Sequence, residues 1–380
     1  MEQLSCWDDY DGPRPVEQRE RAALMELARS VFYPHEADYL QAVQLWPLYL
    51  LPEPWERAIA VFWHGKPVSM ATYIVRTGVI GGCQVRIAFV GSVCTDSVHR
   101  GRGLASVVMQ ALLHELACAD IPLAYISGAR SLYYRLGAQH LQHGRLFELA
   151  WPATRPLWRG SVSLREASEA DVGVLLGLRA LEATRILCTA EDMQLLLKHR
   201  HAQGRPLDII IVEEAGEAVA SFAVHPPCQE GAPGLVCDFA GDRMLLMEGL
   251  RCWQEAKRCP VAVPVLWHDS LGSMLARLGY EYRALRSRGV FVLTAPEALM
   301  RSIDPLSIRA KGGALRAVSS ERGVFVSTPA RIVGFRDGGA LLQALFGALP
   351  DTAVRDELVA LRQMFPLLPL PLPLLDLWVI

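Results

Sequence analysis

The chain has 380 residues, of which 51% are hydrophobic and 21% charged, with a formal net charge of -2. That length exceeds one ordinary domain and carries core material for two. The near-balanced charge excludes a long-range field drawing the chain onto nucleic acid or anionic lipid, and no basic stripe with a nucleic-acid-binding module accompanies it.

The nine cysteines include no Cys-x-x-Cys pair, which reads as reduced thiols in a cytoplasmic protein. The sequence offers no secretion signal and no uncharged apolar run near the roughly 20 residues of a membrane span. Among the histidines, neither H-E-x-x-H nor paired Cys/His spacing occurs, so no metal is expected.

In chain order, Pro15 to Val31 predicts a first helix, with Val16, Ala22, Leu24, Met25, Leu27 and Ala28 at helical spacing. The aromatic, proline-broken stretch FYPHEADYLQAVQLWPLYLLPEPW follows. It reads either as a lid whose Phe32, Tyr33, Trp46, Tyr49 and Trp55 wall a pocket, or as a helical hairpin filling its own core. Glu36, Asp38, Glu53 and Glu56 either attract a cation or form a solvated face. AIAVFW and VSMATYIV, joined by HGKP, predict a hairpin, and QVRIAFVGSVCT a long third strand. Leu104 to Ala119 is the clearest helix. A short strand LAYIS, a short helix SLYYRLGA and a strand over Arg145 to Leu149 complete one α+β unit ending near Ala150.

After the linker WPATRPLWRG, the same cycle recurs from VSLREASEADVGVLLGLRALEA through DIIIVEE, AVASFAVH, LVCDFA, RMLLMEGLRCWQEAKR, VAVPVLW and SMLARLGY to GVFVLT. Divergent duplication explains the repeat. A final segment offers strands ALRAV, GVFVS and RIVGFR, helices over Gly339 to Gly347 and Ala353 to Met364, and the apolar tail FPLLPLPLPLLDLWVI. The expected division is residues 1–150, 151–298 and 299–380, the last a small domain or an extension packed on the others.

The sharpest local signal is HRGRGLA, His99 to Ala105, between a strand and the long helix. It lacks both the G-x-G-x-x-G of dinucleotide folds and the G-x-x-x-x-G-K-[ST] of nucleotide triphosphatases. Unpaired amides at a helix start, flanked by Arg100 and Arg102, suit a pyrophosphate. Here the sequence resembles the GCN5-related N-acetyltransferase (GNAT) family, whose Q/R-x-x-G-x-G/A signature is matched by Arg100, Gly103 and Ala105. The resemblance implies a coenzyme site of Arg100, Gly101, Arg102, Gly103, Leu104 and Ala105, with the pantetheine arm along Val93, Cys94 and Thr95. LYYRLGA, Leu132 to Ala138, is similar to the family's L-Y-x-x-L-G-F. This implies Tyr133 as the acid that protonates the departing thiolate, with Tyr134 at the variable position.

The second cycle resembles the family more faintly: SMLARLGY places Leu275 where the tyrosine would stand, and AGDRML lacks the coenzyme signature. The whole chain is similar to tandem acetyltransferases of the enhanced-intracellular-survival group. That likeness implies an α+β fold of tandem GNAT-like domains with a catalytic first copy and a degenerate second one. It also implies that the Ile380 carboxylate acts as base. Asp96, His99 and a water chain are equal candidates for that role. The expected reaction is acetyl-CoA-dependent acetylation of a primary amine on a small metabolite, with a protein lysine as the other acceptor and no metal, nucleic acid or membrane partner. The alternative is a non-catalytic acyl-CoA-binding regulatory or scaffold protein. The plain readings are a solvated capped turn for residues 100–103, a core ring for Tyr133 and a small buried side chain for Cys94.

Overall fold

The computed structural model describes residues 9–33, 35, 57–152, 162–309, 313–347, 356–365 and 368–373. The chain opens with β1 (Tyr10–Pro15), then a single 3-10 turn at Gln18–Glu20 and α1 (Arg21–Phe32). The first helix therefore starts six residues later than Pro15. Pro13 and Pro15 instead lie in a strand at the sheet's edge, where a missing N–H costs no ladder bond. The turn is closed by Glu20, which accepts from the Glu17 amide and from Arg14 at 2.8 Å each.

Strands β2 (Ala58–Trp63), β3 (Lys66–Ile80) and β4 (Cys83–Thr95) form an antiparallel meander. Then come α2 (Leu104–Cys118), β5 (Leu123–Ile126), α3 (Ser131–Arg135) and β6 (Gln142–Leu149). The second cycle runs through β7 (Val162–Glu166), α4 (Val172–Ala180), β8 (Arg185–Ile186), α5 (Ala190–His199) and a two-residue hairpin of β9 (His201–Ala202) and β10 (Arg205–Pro206). It continues with β11 (Asp208–Glu214), β12 (Glu217–His225), β13 (Gly234–Gly241), α6 (Arg243–Lys257), β14 (Val261–Leu266) and α7 (Ser270–Arg277). It ends with β15 (Tyr282–Arg286) and β16 (Val290–Leu293). The last segment contains α8 (Pro296–Arg309), β17 (Arg316–Ser320), β18 (Gly323–Thr328), β19 (Arg331–Phe335), α9 (Gly338–Phe346) and α10 (Asp356–Met364).

Two sheets of seven strands carry the architecture; the first takes β8 and β16 from the second cycle, and the second takes β6 from the first. The first orders β1-β2-β3-β4-β5-β16, with β8 paired to β3; the second orders β15-β6-β14-β13-β12-β11-β7. Thus β6, expected to close the first unit, is inserted between β14 and β15, while β16 returns to pair with β5 through Val290↔Ile126 to Leu293↔Leu123. The crossing segments clasp each other. Gln139 and Phe291 exchange backbone bonds of 2.8 Å, the Ser287 hydroxyl accepts from the Leu141 amide at 3.0 Å, and the Tyr125 hydroxyl accepts from the Gly289 amide at 2.9 Å.

Helix α2 packs Leu104, Val108, Leu112 and Leu116 onto one face of the first sheet, against Ile59, Val61, Ala71, Ala88 and Val90. The other face, with Ile74, Ile87, Phe89 and Tyr125, joins a core that includes α5, α8, the small β17-β18-β19 sheet and Leu368, Leu370 and Leu372. The C-terminal segment is therefore an extension sharing the core of the first sheet. Of the apolar tail, Leu368 to Pro373 lie on the protein itself, with the Leu370 amide donating to Leu345 and His268 Nε2 within 2.6 Å of the Pro369 carbonyl. No described helix is long and apolar enough to cross a membrane.

The crossing leaves no room for a side chain at Gly289, where a Cβ would stand 2.2 Å from the Ile126 carbonyl oxygen and 2.7 Å from the Tyr125 ring. Gly289→Ala is expected to lower unfolding free energy by about 1–3 kcal/mol in urea titration, as an overpacked site does. Gly173→Ala, in α4 with open space around it, should be neutral or stabilising by up to about 1 kcal/mol. Equal midpoints for both variants would overturn this account of the crossing.

Candidate active site

Strands β4 and β5 run parallel and separate early. Their pairing ends at Val90↔Ile126, while β4 continues to Thr95, bonded there to β3. The divergence coincides with a bulge: two register steps on β3 oppose three on β4 between Met70↔Cys94 and Thr72↔Gly91, with Ser92 at φ +49°. One edge of β4 over Gly91 to Thr95 thus faces an open wedge instead of a neighbouring strand. A strand edge of this kind presents backbone donors and acceptors to a ligand.

The wedge opens into a cleft of about 450 Å³. Val93, Cys94 and Thr95 line one wall, and Arg100, Gly101, Gly103, Leu104, Ala105 and Ser106 line the phosphate-suited end. Gly101 and Gly103 adopt φ of +77° and +80°, and a Cβ at either would meet no atom within 4 Å, so the demand for glycine is conformational, not steric. Gly103 is the N-cap of α2 and provides no side-chain cap, and the backbone bonds of the helix begin with the Ser106 amide donating to Gly103 at 2.9 Å. The first-turn amides therefore face the cleft with the positive end of the helix dipole behind them.

Of the two arginines in the turn, only Arg100 lines the cleft, its Nε donating to the Thr95 carbonyl at 3.2 Å. Arg102 turns away and donates from Nη1 to the Tyr10 hydroxyl at 3.0 Å. This bond takes one of the five donors of an exposed guanidinium and holds it against Tyr10, away from the residues that line the cleft. Asp96 caps the preceding 3-10 turn by accepting from the Val98 amide at 3.0 Å, which suits a structural role. His99 lines the cleft.

Tyr133, on α3, forms the opposite wall and is 5% exposed, whereas Tyr134 is 43% exposed and packs beside His140. Burial pushes the Tyr133 phenol above its ordinary range, with Arg130 pulling weakly the other way. Helix α3 is only one turn long and ends where Leu136 and Ala138 donate to the Tyr133 carbonyl at 3.0 Å, so the L-G-A motif anchors the backbone that carries the tyrosine. Burial raises the Cys94 thiol to about 12, leaving it protonated and a poor nucleophile.

Arg130, at the start of α3, lines the cleft as a further cation, as do Leu132 and, from the end of α1, Val31 and Phe32 as apolar walls. Phe32 is a pocket wall as its sequence context suggests, whereas the only signal for Arg130 in the sequence is its place one turn before Tyr133. Tyr33 contacts Phe32 with ring centroids 6.3 Å apart. Trp46, Tyr49, Trp55, Glu36, Asp38, Glu53, Glu56 and Ile380 lie outside the described residues. Among the described residues, no group of three or more His, Cys, Asp or Glu is placed to hold a metal.

The second cycle repeats the wedge and fills its anion end with the chain's own carboxylates. β13 and β14 pair only at Gly234↔Val261 and Leu235↔Ala262 before separating. At the start of α6, however, the Asp242 carboxylate accepts from the Met244 and Leu245 amides at 2.8 and 3.0 Å, and Glu182 accepts from the Gly241 amide at 2.9 Å. Glu182 also receives two bonds from Arg243, which reaches Asp269 as well. Leu275, at the place corresponding to Tyr133, is fully buried.

Residues 13–141 match the family model described as an acetyltransferase (GNAT) domain. No curated protein matches the chain. Among solved structures, it is similar to a GCN5-related N-acetyltransferase from Anabaena variabilis, at 13% identity and a TM-score of 0.65, covering 94% of this chain and 96% of that one. It is also similar to Eis1 from Mycobacterium abscessus, at 16% identity and a TM-score of 0.57 with 88% and 89% covered. A third likeness is to a GCN5-related N-acetyltransferase from Kribbella flavida, at 16% identity and a TM-score of 0.56 with 78% and 74% covered.

Glu182→Gln removes the charge from the filled anion end of the second wedge and is expected to cost about 1.5–3 kcal/mol in chemical denaturation, the range for hydrogen bonds to charged groups. A variant as stable as the parent would show that Arg243 and the α6 amides do not depend on this carboxylate.

Proposed function

Since the chain has the tandem GNAT fold and carries an acetyltransferase domain of that family over residues 13–141, we propose that it transfers acetyl from acetyl-CoA directly to a primary amine of a small amino-bearing metabolite. The observation that carries this reading is the convergence, in one cleft, of uncapped α2 amides, the open β4 edge and the buried phenol of Tyr133. The coenzyme's pyrophosphate would take the turn of residues 100–105, with its pantetheine arm along Val93, Cys94 and Thr95 and its thioester near Tyr133.

The acceptor nitrogen attacks the thioester carbonyl, and backbone donors of the β4 edge stabilise the oxyanion. Collapse of the tetrahedral intermediate breaks the carbon–sulfur bond, and the departing thiolate takes the Tyr133 proton. A raised phenol suits this role, because Tyr133 stays protonated through neutral and mildly alkaline pH. The poorly ionised Cys94 thiol favours direct transfer over an acyl-enzyme. The carboxylate of Ile380 is proposed to take the proton of the incoming amine. Pro373 lies beside Gly78 of β3, and the seven residues beyond it can reach roughly 23–25 Å. Along β3, the wedge begins about 20 Å from Gly78.

In this reading residues 1–150 supply the catalytic side chains, 151–298 form the degenerate copy with its self-filled anion end, and 299–380 buttress the first sheet and deliver the tail. A lysine side chain of a protein is the second acceptor class.

Tyr133→Phe should lower kcat by roughly 10²–10⁴, as loss of a general acid does, and leave acetyl-CoA affinity within about twofold; unchanged turnover would remove Tyr133 from the mechanism. Deleting residues 377–380 should preserve coenzyme binding and suppress transfer, and full activity of the truncated chain would eliminate the carboxylate.

A further inference from the structure

His99 is the last residue before the phosphate-suited turn, lines the cleft and is 8% exposed. Its ring is held between Tyr10, edge-on with centroids 5.7 Å apart, and Trp63 at 5.2 Å. Its Nδ1 lies 2.9 Å from the Tyr10 hydroxyl, and Arg102 Nη1 meets the same hydroxyl at 3.0 Å. A guanidinium carries donors only, so the phenol oxygen accepts from Arg102. Accepting from a cation strengthens a hydroxyl as a donor, and the imidazole nitrogen within its reach is Nδ1.

We propose that the Arg102–Tyr10–His99 chain holds neutral His99 as the tautomer protonated on Nε2, and that this N–H donates to a phosphate oxygen of the coenzyme beside Arg100 and the turn amides. The ligand named here rests on the coenzyme reading above. The direction of the bonds has two consequences. A general base in the cleft needs a lone pair facing it, whereas that of His99 is taken by Tyr10, so His99 leaves the list of bases. Arg102 acquires a reason to turn from the cleft: it and Tyr10 are positioning residues that set the polarity of the imidazole. Loss of the imidazolium proton occurs at Nδ1 in this arrangement, so the Nε2 donor persists in the neutral ring.

The tautomer is read directly from long-range ¹H–¹⁵N correlations of ¹⁵N-histidine-labelled protein at pH 8, with His99→Gln assigning the signal by its loss. The expected pattern is protonation on Nε2, moving towards a mixture in Tyr10→Phe; protonation on Nδ1 overturns the proposal. Titration with acetyl-CoA tests the donor. A glutamine amide nitrogen takes the place of Nε2 and an asparagine amide nitrogen only that of Nδ1. His99→Gln should therefore bind within about twofold of the parent, and His99→Asn and His99→Ala roughly tenfold or more weaker. Glutamine as weak as alanine overturns the donor role. Failure of the unaltered protein to bind acetyl-CoA overturns the coenzyme reading and the ligand with it, and is distinguishable because the tautomer is measured on the free protein.

Discussion

The rest of the site depends on one constraint: β4 and β5 stay paired only as far as Val90↔Ile126. A bulge at Ser92 and the five residues of β4 beyond the last pair turn a closed sheet into a wedge. The two sides of the cleft are delivered by the segments leaving these two strands, the Gly101–Gly103 turn after β4 and the Tyr133 helix after β5. Parallel strands with helical crossovers place such loops at the same end of the sheet, which is why the two motifs meet across a single opening. The turn then needs no cap of its own, because a bound anion can satisfy its amides.

The second wedge shows what the same geometry becomes once its anion end is filled internally. Asp242 supplies the cap that Gly103 lacks, and Glu182 with Arg243 and Asp269 forms a closed charge network over Gly241. An open helix start and a carboxylate-capped one are alternative solutions to the same unsatisfied amides. The open solution accompanies a buried tyrosine and the closed one a buried leucine, Leu275. The two halves thereby differ within one chain: the first keeps an uncapped helix start at its wedge, and the second closes that start with its own carboxylates.

The two halves brace each other, because β6 and β16 trade sheets and the segments around Gln139 and Ser287 bond across the crossing. Beneath the first sheet, Leu368, Leu370 and Leu372 share a core with Ile74 and Phe89, so the C-terminal segment is bound to the floor of that sheet. Exchange of strands and a shared core make the wedge's position a property of the whole chain.

The sequence by itself determined the tandem α+β order, the glycine turn and the tyrosine motif, because periodicity, turn chemistry and short motifs are local properties. It placed α2, the β2-β3 hairpin and the helix at Arg243–Lys257 where they are found. It missed β1 and β15, since YDGPRP and YRALR lack apolar alternation and are strands through their neighbours. It did not identify α8, and it placed the start of α1 too early by giving Pro15 to the helix. Only the tertiary structure decided that β6 and β16 exchange sheets, as two short apolar strands look alike in one dimension and their partners are set by packing. Only it turned Arg102 to Tyr10 while leaving Arg100 in the cleft, and brought in Arg130. These are questions of direction in space, which spacing along a chain does not encode.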